Sequence, residues 1–461
     1  MSQEVPADSN TQSGPFEPSG PDKRVRSVFG SRKVGGASPP KIASIYLILQ
    51  VALLVNEGAY RAGLPAFQVG VPYVTSPIGV AGLLANGLIG LGILGLALKA
   101  GQVGRQQRRA LTAVGLMTLP AAISGVVLGS PLTLRSLAIS AASLGVVAAS
   151  MIAGRRLLVI LSLAGGAMWT WGSVAVGLLE LLQALGISQT IDPDLSGRYR
   201  EWVGFLGLNV DPSFGALVGL STGRAVIAET VVLLVLVYLR AVPLFRPHVP
   251  IWLYTLALSG AVAALSWSLS RVSVIALIVG LSFAFLPWGR LSRYRGTAPV
   301  LAALFLTVSV VPLVIASLLP AGFATTNTVT WRMSVWSWYL NQPGLLMPFG
   351  RGPQFSSLGV SHPHHQMLET WGTGGLLGLA AFGVGLYLLT ASTVMSSVRD
   401  NGLAVGALAS VVTYGIFQMV VSPSHYALGF VWVVFLIILG ASSTCAASPA
   451  TRDGANWSTR P

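Results

Sequence analysis

Runs of about 20 apolar residues recur along most of this chain, and no other property restricts its fold so tightly, because a helix of that length crosses the roughly 30 Å hydrocarbon core of a bilayer. We place about twelve of them on that measure, near residues 42–58, 78–98, 110–129, 133–153, 157–183, 223–241, 251–268, 272–288, 298–319, 373–395, 402–421 and 425–441. Backbone groups in lipid must be satisfied within their own segment, so the runs are expected to be helices. Their unbroken apolar character lacks the period-two alternation of an outer-membrane barrel. With 53% hydrophobic and 9% charged residues and a mean hydropathy of +0.72, the chain has too little polar surface to cover a soluble globule. The expected fold is all-α, a polytopic membrane protein.

Two segments stand apart. Residues 1–41 are rich in Ser, Gly and Pro and lack a signal-peptide h-region, so they read as a disordered tail rather than a cleaved leader. Residues 442–461 are similarly polar and small, which leaves 42–441 as the membrane domain. The single cysteine, Cys445, permits neither an intramolecular disulfide nor a Cys-based metal site.

A net charge of +14 invites a nucleic-acid reading, which the placement of the charges argues against. In alternate loops lie 20 of the 28 Lys and Arg, among them Lys23, Arg24, Arg105, Arg108, Arg109, Arg155, Arg290 and Arg293. The positive-inside rule puts those loops and both termini in the cytoplasm, with an even number of spans. The remaining eight cations are all arginine: Arg61, Arg135, Arg198, Arg200, Arg224, Arg271, Arg332 and Arg351. A planar guanidinium is preferred over an ammonium where carboxylate or phosphate must be gripped in one orientation. Arg61, Arg135 and Arg224 also fit snorkelling helix ends or lipid-phosphate contacts, whereas the others point towards substrate.

Two outer loops are long, about 184–222 and about 320–372, and loops of such length are usually functional. In the second, Trp331, Val335 and Tyr339 recur at helical spacing, which predicts an amphipathic interfacial helix with Arg332 near its start. Its tryptophans equally fit interfacial anchors. The stretch NQPGLLMPFGRGPQF is turn-rich and would hold Arg351 on a tight loop. There follows SHPHHQMLETWGTGGLLGL, which gathers three of the five histidines, His362, His364 and His365, at the mouth of an apolar segment.

The acidic residues narrow the chemistry. The second outer loop has only Glu369, and the first has Asp192, Asp194, Glu201 and Asp211. Metal-dependent transferases need clustered carboxylates, and apart from the DPD at 192–194 no such pattern occurs. The three histidines are too closely spaced, in a Pro-containing segment, to make a convincing zinc set. No metal and no cofactor is expected. An arginine-rich, carboxylate-poor cavity suits a polyanionic leaving group, since fixed cations can supply the neutralisation a metal otherwise gives.

At this point the chain resembles a known family. HPHHQMLETWGTGGLLGL is similar to the signature of the O-antigen ligase and O-antigen polymerase superfamily, in which a His and a polar residue precede a helix with a Gly eleven residues after the His. The matching positions are His364, His365 in place of the usual Asn, and Gly375. SLSRVSVIALIVGL resembles the family's Ser-Arg at an outer helix start, giving Arg271; WRMSVWSW with the following Gly-rich turn resembles its loop helix, giving Arg332. GFLGLNVDPSFGAL resembles, more weakly, an Asn-Pro-containing segment, with Arg198 and Arg200 upstream. The likeness covers roughly residues 190–440, and departs at His365 and at Thr373, where the family often has an acidic residue.

The resemblance implies a C-type, metal-independent, inverting glycosyltransferase of the bacterial cytoplasmic membrane. Its donor would be an undecaprenyl-diphosphate-linked glycan and its acceptor a hydroxyl of a glycan or lipid-glycan at the extracytoplasmic face. His364 is then expected to act as general base, with Arg271 and Arg332 holding the diphosphate. Arg200, Arg198, Arg351, His362, His365 and Glu369 are the supporting substrate contacts; His362 could replace His364, and Glu369 could orient an imidazole or merely cap its helix. His425 reads as structural and His248 as irrelevant. Two other classes stay open: a secondary transporter, for which Glu180 and Glu229 are the candidate ionisable residues, and a non-catalytic protein that binds lipid-linked glycan or lipid.

Overall fold

The structure, a computed structural model, describes residues 39–61, 77–99, 103–182, 224–242, 249–268, 270–318, 328–355, 363–396, 401–417 and 430–443. Among these residues the regular structure is helical, with no strand. The helices are α1 (Pro39–Arg61), α2 (Pro77–Lys99), α3 (Arg105–Val127), α4 (Thr133–Leu182), α5 (Arg224–Arg240), α6 (Ile251–Ser268), α7 (Arg271–Ala284), the single turn α8 (Trp288–Leu291), α9 (Thr297–Ser317), α10 (Thr328–Leu340), α11 (Gln366–Val394), α12 (Asn401–Phe417) and α13 (Phe430–Ser442).

Every apolar run of the sequence overlaps one of these helices, and the runs 133–153 and 157–183 share α4. They are separated there by Gly154, which at φ 74° and ψ −175° interrupts the helix. Among the described residues, five stretches are long and apolar enough to cross a membrane: Ala81–Lys99, Arg105–Val127, Thr133–Arg155, Thr297–Ser317 and Gln366–Val394. Seven further apolar helices are shorter. The most apolar stretches of α2 and α9 are only 33% buried, and side chains such as Leu88 and Val300 point outward. Apolar surface of this extent belongs against lipid. In contrast, Val231 to Tyr238 of α5 are buried on every side, as a helix apolar all round should be at the centre of a bundle.

Small residues set how closely the helices approach. Ala276, Gly280 and Ala284 recur every fourth residue on α7, and Gly402, Gly406 and Ser410 do so on α12. The two rows meet antiparallel: Ser410 Oγ donates to the Ala276 carbonyl at 3.1 Å, a Cβ on Gly406 would lie 2.6 Å from the Gly280 carbonyl oxygen, and Gly402 faces the Ala284 carbonyl. Lipid tails are as apolar as leucine, so close backbone contact of this kind is what associates helices in a bilayer. Continued past Ala276 by little more than a turn, the same register brings the backbone of Arg271 level with Gly415.

A second antiparallel pair, α3 and α11, brings the end of the first to the start of the second. Ser392 Oγ donates to the Gln106 carbonyl at 3.4 Å, Met117 packs on Gly385, and Pro120 packs on Gly374. The pairs are joined where Gln366, in the first turn of α11, fills the space beside Gly415. One end of the bundle therefore collects the N-termini of α7 and α11 and the C-termini of α3 and α12.

Candidate functional site

That end is built around a break in α11. Gly375 sits at φ 61° and ψ −147° in the middle of the helix, a conformation essentially restricted to glycine. A break leaves carbonyls below and amides above without helical partners, which is costly away from water. The turn-rich loop after α10 supplies them. The amides of Arg351 and Gly352 donate to the carbonyls of Gly372 and Thr373 at 2.8 and 3.0 Å, while the amides of Leu376 and Leu377 donate to the carbonyls of Met347 and Pro348, each at 3.0 Å. The approach is so close that Gly350, itself at φ 59°, has no room for a Cβ against the Gly372 carbonyl and the Gly375 amide.

The loop is also held from its sides. Trp371 Nε1 donates to the Leu345 carbonyl at 2.8 Å, Ser124 Oγ of α3 donates to the Phe349 carbonyl at 2.5 Å, and Ser130 Oγ donates to Gln354 Oε1 at 3.0 Å. Phe355, fully buried, lies against Gly372 and 5.0 Å, centroid to centroid, from the ring of Tyr339 on α10. The Gly-rich turn and the glycine of the histidine segment, two separate features of the sequence, are thus two halves of one substructure.

His364 and His365 lie between this substructure and α10. Trp336 Nε1 donates to the Pro363 carbonyl at 2.6 Å, which pins the segment leading into α11. His364 follows with φ 47°, the positive-φ residue other than glycine among the described residues. Its half-buried ring lies 6.3 Å from the Trp331 ring. A side chain held in the left-handed region is strained, and such strain concentrates at functional positions. His365 has a different task. It is the N-cap of α11, fully buried, with Nδ1 accepting from the Leu368 amide at 3.3 Å and its ring edge-on to Trp336 at 5.1 Å. Its Nδ1 thus does what the side-chain oxygen of a common N-cap residue such as asparagine does at a helix start. Burial lowers the His365 pKa to about 3, so the ring stays neutral and a poor proton acceptor.

Arg332, one residue from Trp331, donates from Nη1 to the carbonyl of Phe417 and stands 5.6 Å over the Phe417 ring. A cation at the last carbonyl of α12 is favoured by the helix dipole. Arg332 is thereby fixed between α10 and α12. Arg271 begins α7, behind the N-cap Ser270, whose side chain accepts from the Ser273 amide; its backbone lies at the same end. Glu369 is fully buried one turn into α11. Arg351 folds back on its own loop, Nε donating to the Pro343 carbonyl at 2.6 Å, so its visible work is to close the turn.

The helix expected around Trp331, Val335 and Tyr339 is α10, but its buried face is carried by Trp336 and Tyr339, while Trp331 and Trp338 are the more open positions. Trp336 and Phe417 escaped the sequence reading, since an indole donor and a carbonyl anchor leave no distinctive spacing. Among the described residues no three His, Cys, Asp or Glu side chains are grouped so as to hold a metal ion. Arg198, Arg200, His362, His248, His425, Cys445, residues 1–38 and 444–461 of the two tails and the first outer loop lie outside the described residues, as do the side chains of Arg271, Glu180 and Glu229; of the expected tails, Pro39, Pro40 and Lys41 are instead helical in α1 and Ser442 closes α13. Compared with protein-family models, with curated proteins and with solved structures, the chain finds no match.

Proposed function

We propose that the chain is a membrane glycosyltransferase that moves an undecaprenyl-diphosphate-linked glycan onto an acceptor hydroxyl, as a ligase or a polymerase of the O-antigen type. The observation that supports this reading is that His364, Arg332 and the Arg271 end of α7 lie at the same end of the bundle, beside a helix break of the kind that lines polar cavities in membranes. In this proposal the shorter apolar helices also span, giving about twelve crossings. Both termini lie in the cytoplasm of a bacterial cell and the site faces the other side.

The chemistry asks for two things. The acceptor oxygen must lose its proton as it attacks the anomeric carbon, and the bond from that carbon to the diphosphate must break with both electrons leaving on phosphate oxygen. His364 takes the proton, the general-base role that an imidazole most often fills. The leaving diphosphate meets fixed positive charge: Arg271, Arg332 and the N-terminal dipoles of α7 and α11. A single displacement inverts the anomeric carbon. Arg198, Arg200, Arg351 and His362 remain supporting contacts, His365 holds the helix start, and Glu369 orients the histidine segment.

The test is genetic and chemical. His364→Ala, Arg271→Ala and Arg332→Lys should each abolish surface glycan at unchanged protein abundance; the lysine keeps a cation for the Phe417 carbonyl but loses the planar fork. Wild-type glycan in all three variants would refute the assignment. In a deletion strain, accumulated single repeat units identify a polymerase and accumulated long chains a ligase. The burial of Glu369 within a broken helix favours one second reading, ion-coupled transport; solute uptake by proteoliposomes, lost in Glu369→Gln and kept in His364→Ala, would establish it instead.

A further inference from the structure

Away from the histidines, the flank formed by α2, α3, α4 and α11 carries an apolar groove of about 540 Å³, whose walls include Leu98, Leu116, Leu119, Ile123 and Leu377. Beside it lies a second hollow of about 570 Å³ lined by Arg105, Arg108 and Arg109; Arg108 and Thr112 line both. One wall is missing by design of the sequence: a Cβ on Gly115 would meet only Leu119, at 3.6 Å. The groove runs from Arg108 to Ile123, about 22 Å of helix, which exceeds the roughly 15 Å half-thickness of a bilayer core. It can therefore take an acyl chain from the leaflet beside the arginines in full.

We propose that this flank binds one anionic glycerophospholipid, its phosphate on Arg105, Arg108 and Arg109 and an acyl chain in the groove. Charge complementarity selects the occupant. α3 has no acidic residue and its first turns carry three arginines, which the positive end of the helix dipole disfavours until an anion neutralises them. Arg108 is steadied by its Nε donating to the Val103 carbonyl at 3.3 Å. A free phosphate would satisfy the arginines but leave the groove unfilled, and a zwitterionic lipid would fill the groove without neutralising the charge. The arginines that would hold the phosphate lie at the opposite end of α3 from the loop that seals α11, while the far end of the groove, at Ile123 and Leu377, comes up to that loop.

The experiment is native mass spectrometry of the full chain with phosphatidylglycerol and phosphatidylcholine of identical acyl chains, and with inorganic phosphate as competitor. Phosphatidylglycerol should be retained about fivefold more strongly, the weight of about one cation at a charged lipid surface. Arg108→Gln should erase most of that preference. Gly115→Leu should weaken retention of both lipids while leaving the thermal unfolding midpoint unchanged. Equal retention of the two lipids, wild-type preference in both variants, or displacement of the lipid by equimolar phosphate would each overturn the proposal.

Discussion

Replacing Gly375 with alanine tests the seam between the loop and the broken helix. At φ 61° and ψ −147° an L side chain is strained by about 1–3 kcal/mol. The new Cβ would also collide with the Met347 carbonyl and the Gly350 amide and lie 2.8 Å from the Pro348 carbonyl carbon. The collision is with backbone, which no rotamer change relieves, so the loop must retreat. Retreat breaks the hydrogen bonds of Arg351, Gly352, Leu376 and Leu377 across the break, each worth about 1 kcal/mol net. When the loop leaves entirely the loss is those four bonds, about 4 kcal/mol, and the balance between sealed and open forms shifts by up to about a thousandfold. Hydrogen exchange read at those four amides measures it directly. Gly383→Ala in the same helix, where a Cβ meets nothing within 4 Å, should instead be neutral or stabilising by up to about 1 kcal/mol. If Gly375→Ala kept wild-type protection at the four amides, the argument for a loop-sealed break would be wrong.

Two further outcomes follow from the geometry. His364→Gly should raise stability by about 0.5 kcal/mol in a denaturant titration, because relief of the left-handed strain outweighs the entropy glycine adds to the unfolded chain; under the transferase proposal the same variant makes no glycan, so stability and activity move in opposite directions. Gly406→Leu should destabilise by about 3 kcal/mol by wedging α12 from the Gly280 carbonyl, whereas Gly92→Leu on the open face of α2 should leave the unfolding midpoint where it is.

Helix positions are legible in this sequence because an apolar stretch of spanning length has one low-energy backbone in lipid, and α10 is legible from a tryptophan-rich helical spacing. The candidate site is legible only in pieces. Gly375 and the Gly-rich turn each stand out, yet the bonds between them run from backbone to backbone, so no pattern of side chains records that they touch. The same holds for Arg332, whose partner is a main-chain carbonyl at Phe417. His365 adds a feature that spacing does not record: whatever it contributes to substrate, its side chain also caps α11 through the Leu368 amide.

The way α11 is completed from outside also limits how this end of the molecule can move. Residues 347–352 share hydrogen bonds with the turns of α11 on both sides of the break, so while those bonds hold the loop and the start of the helix travel together. An antibody fragment or cyclic peptide that grips the loop would accordingly arrest the N-terminal turns of α11 with it, a handle on the histidine segment that requires no contact with the histidines themselves.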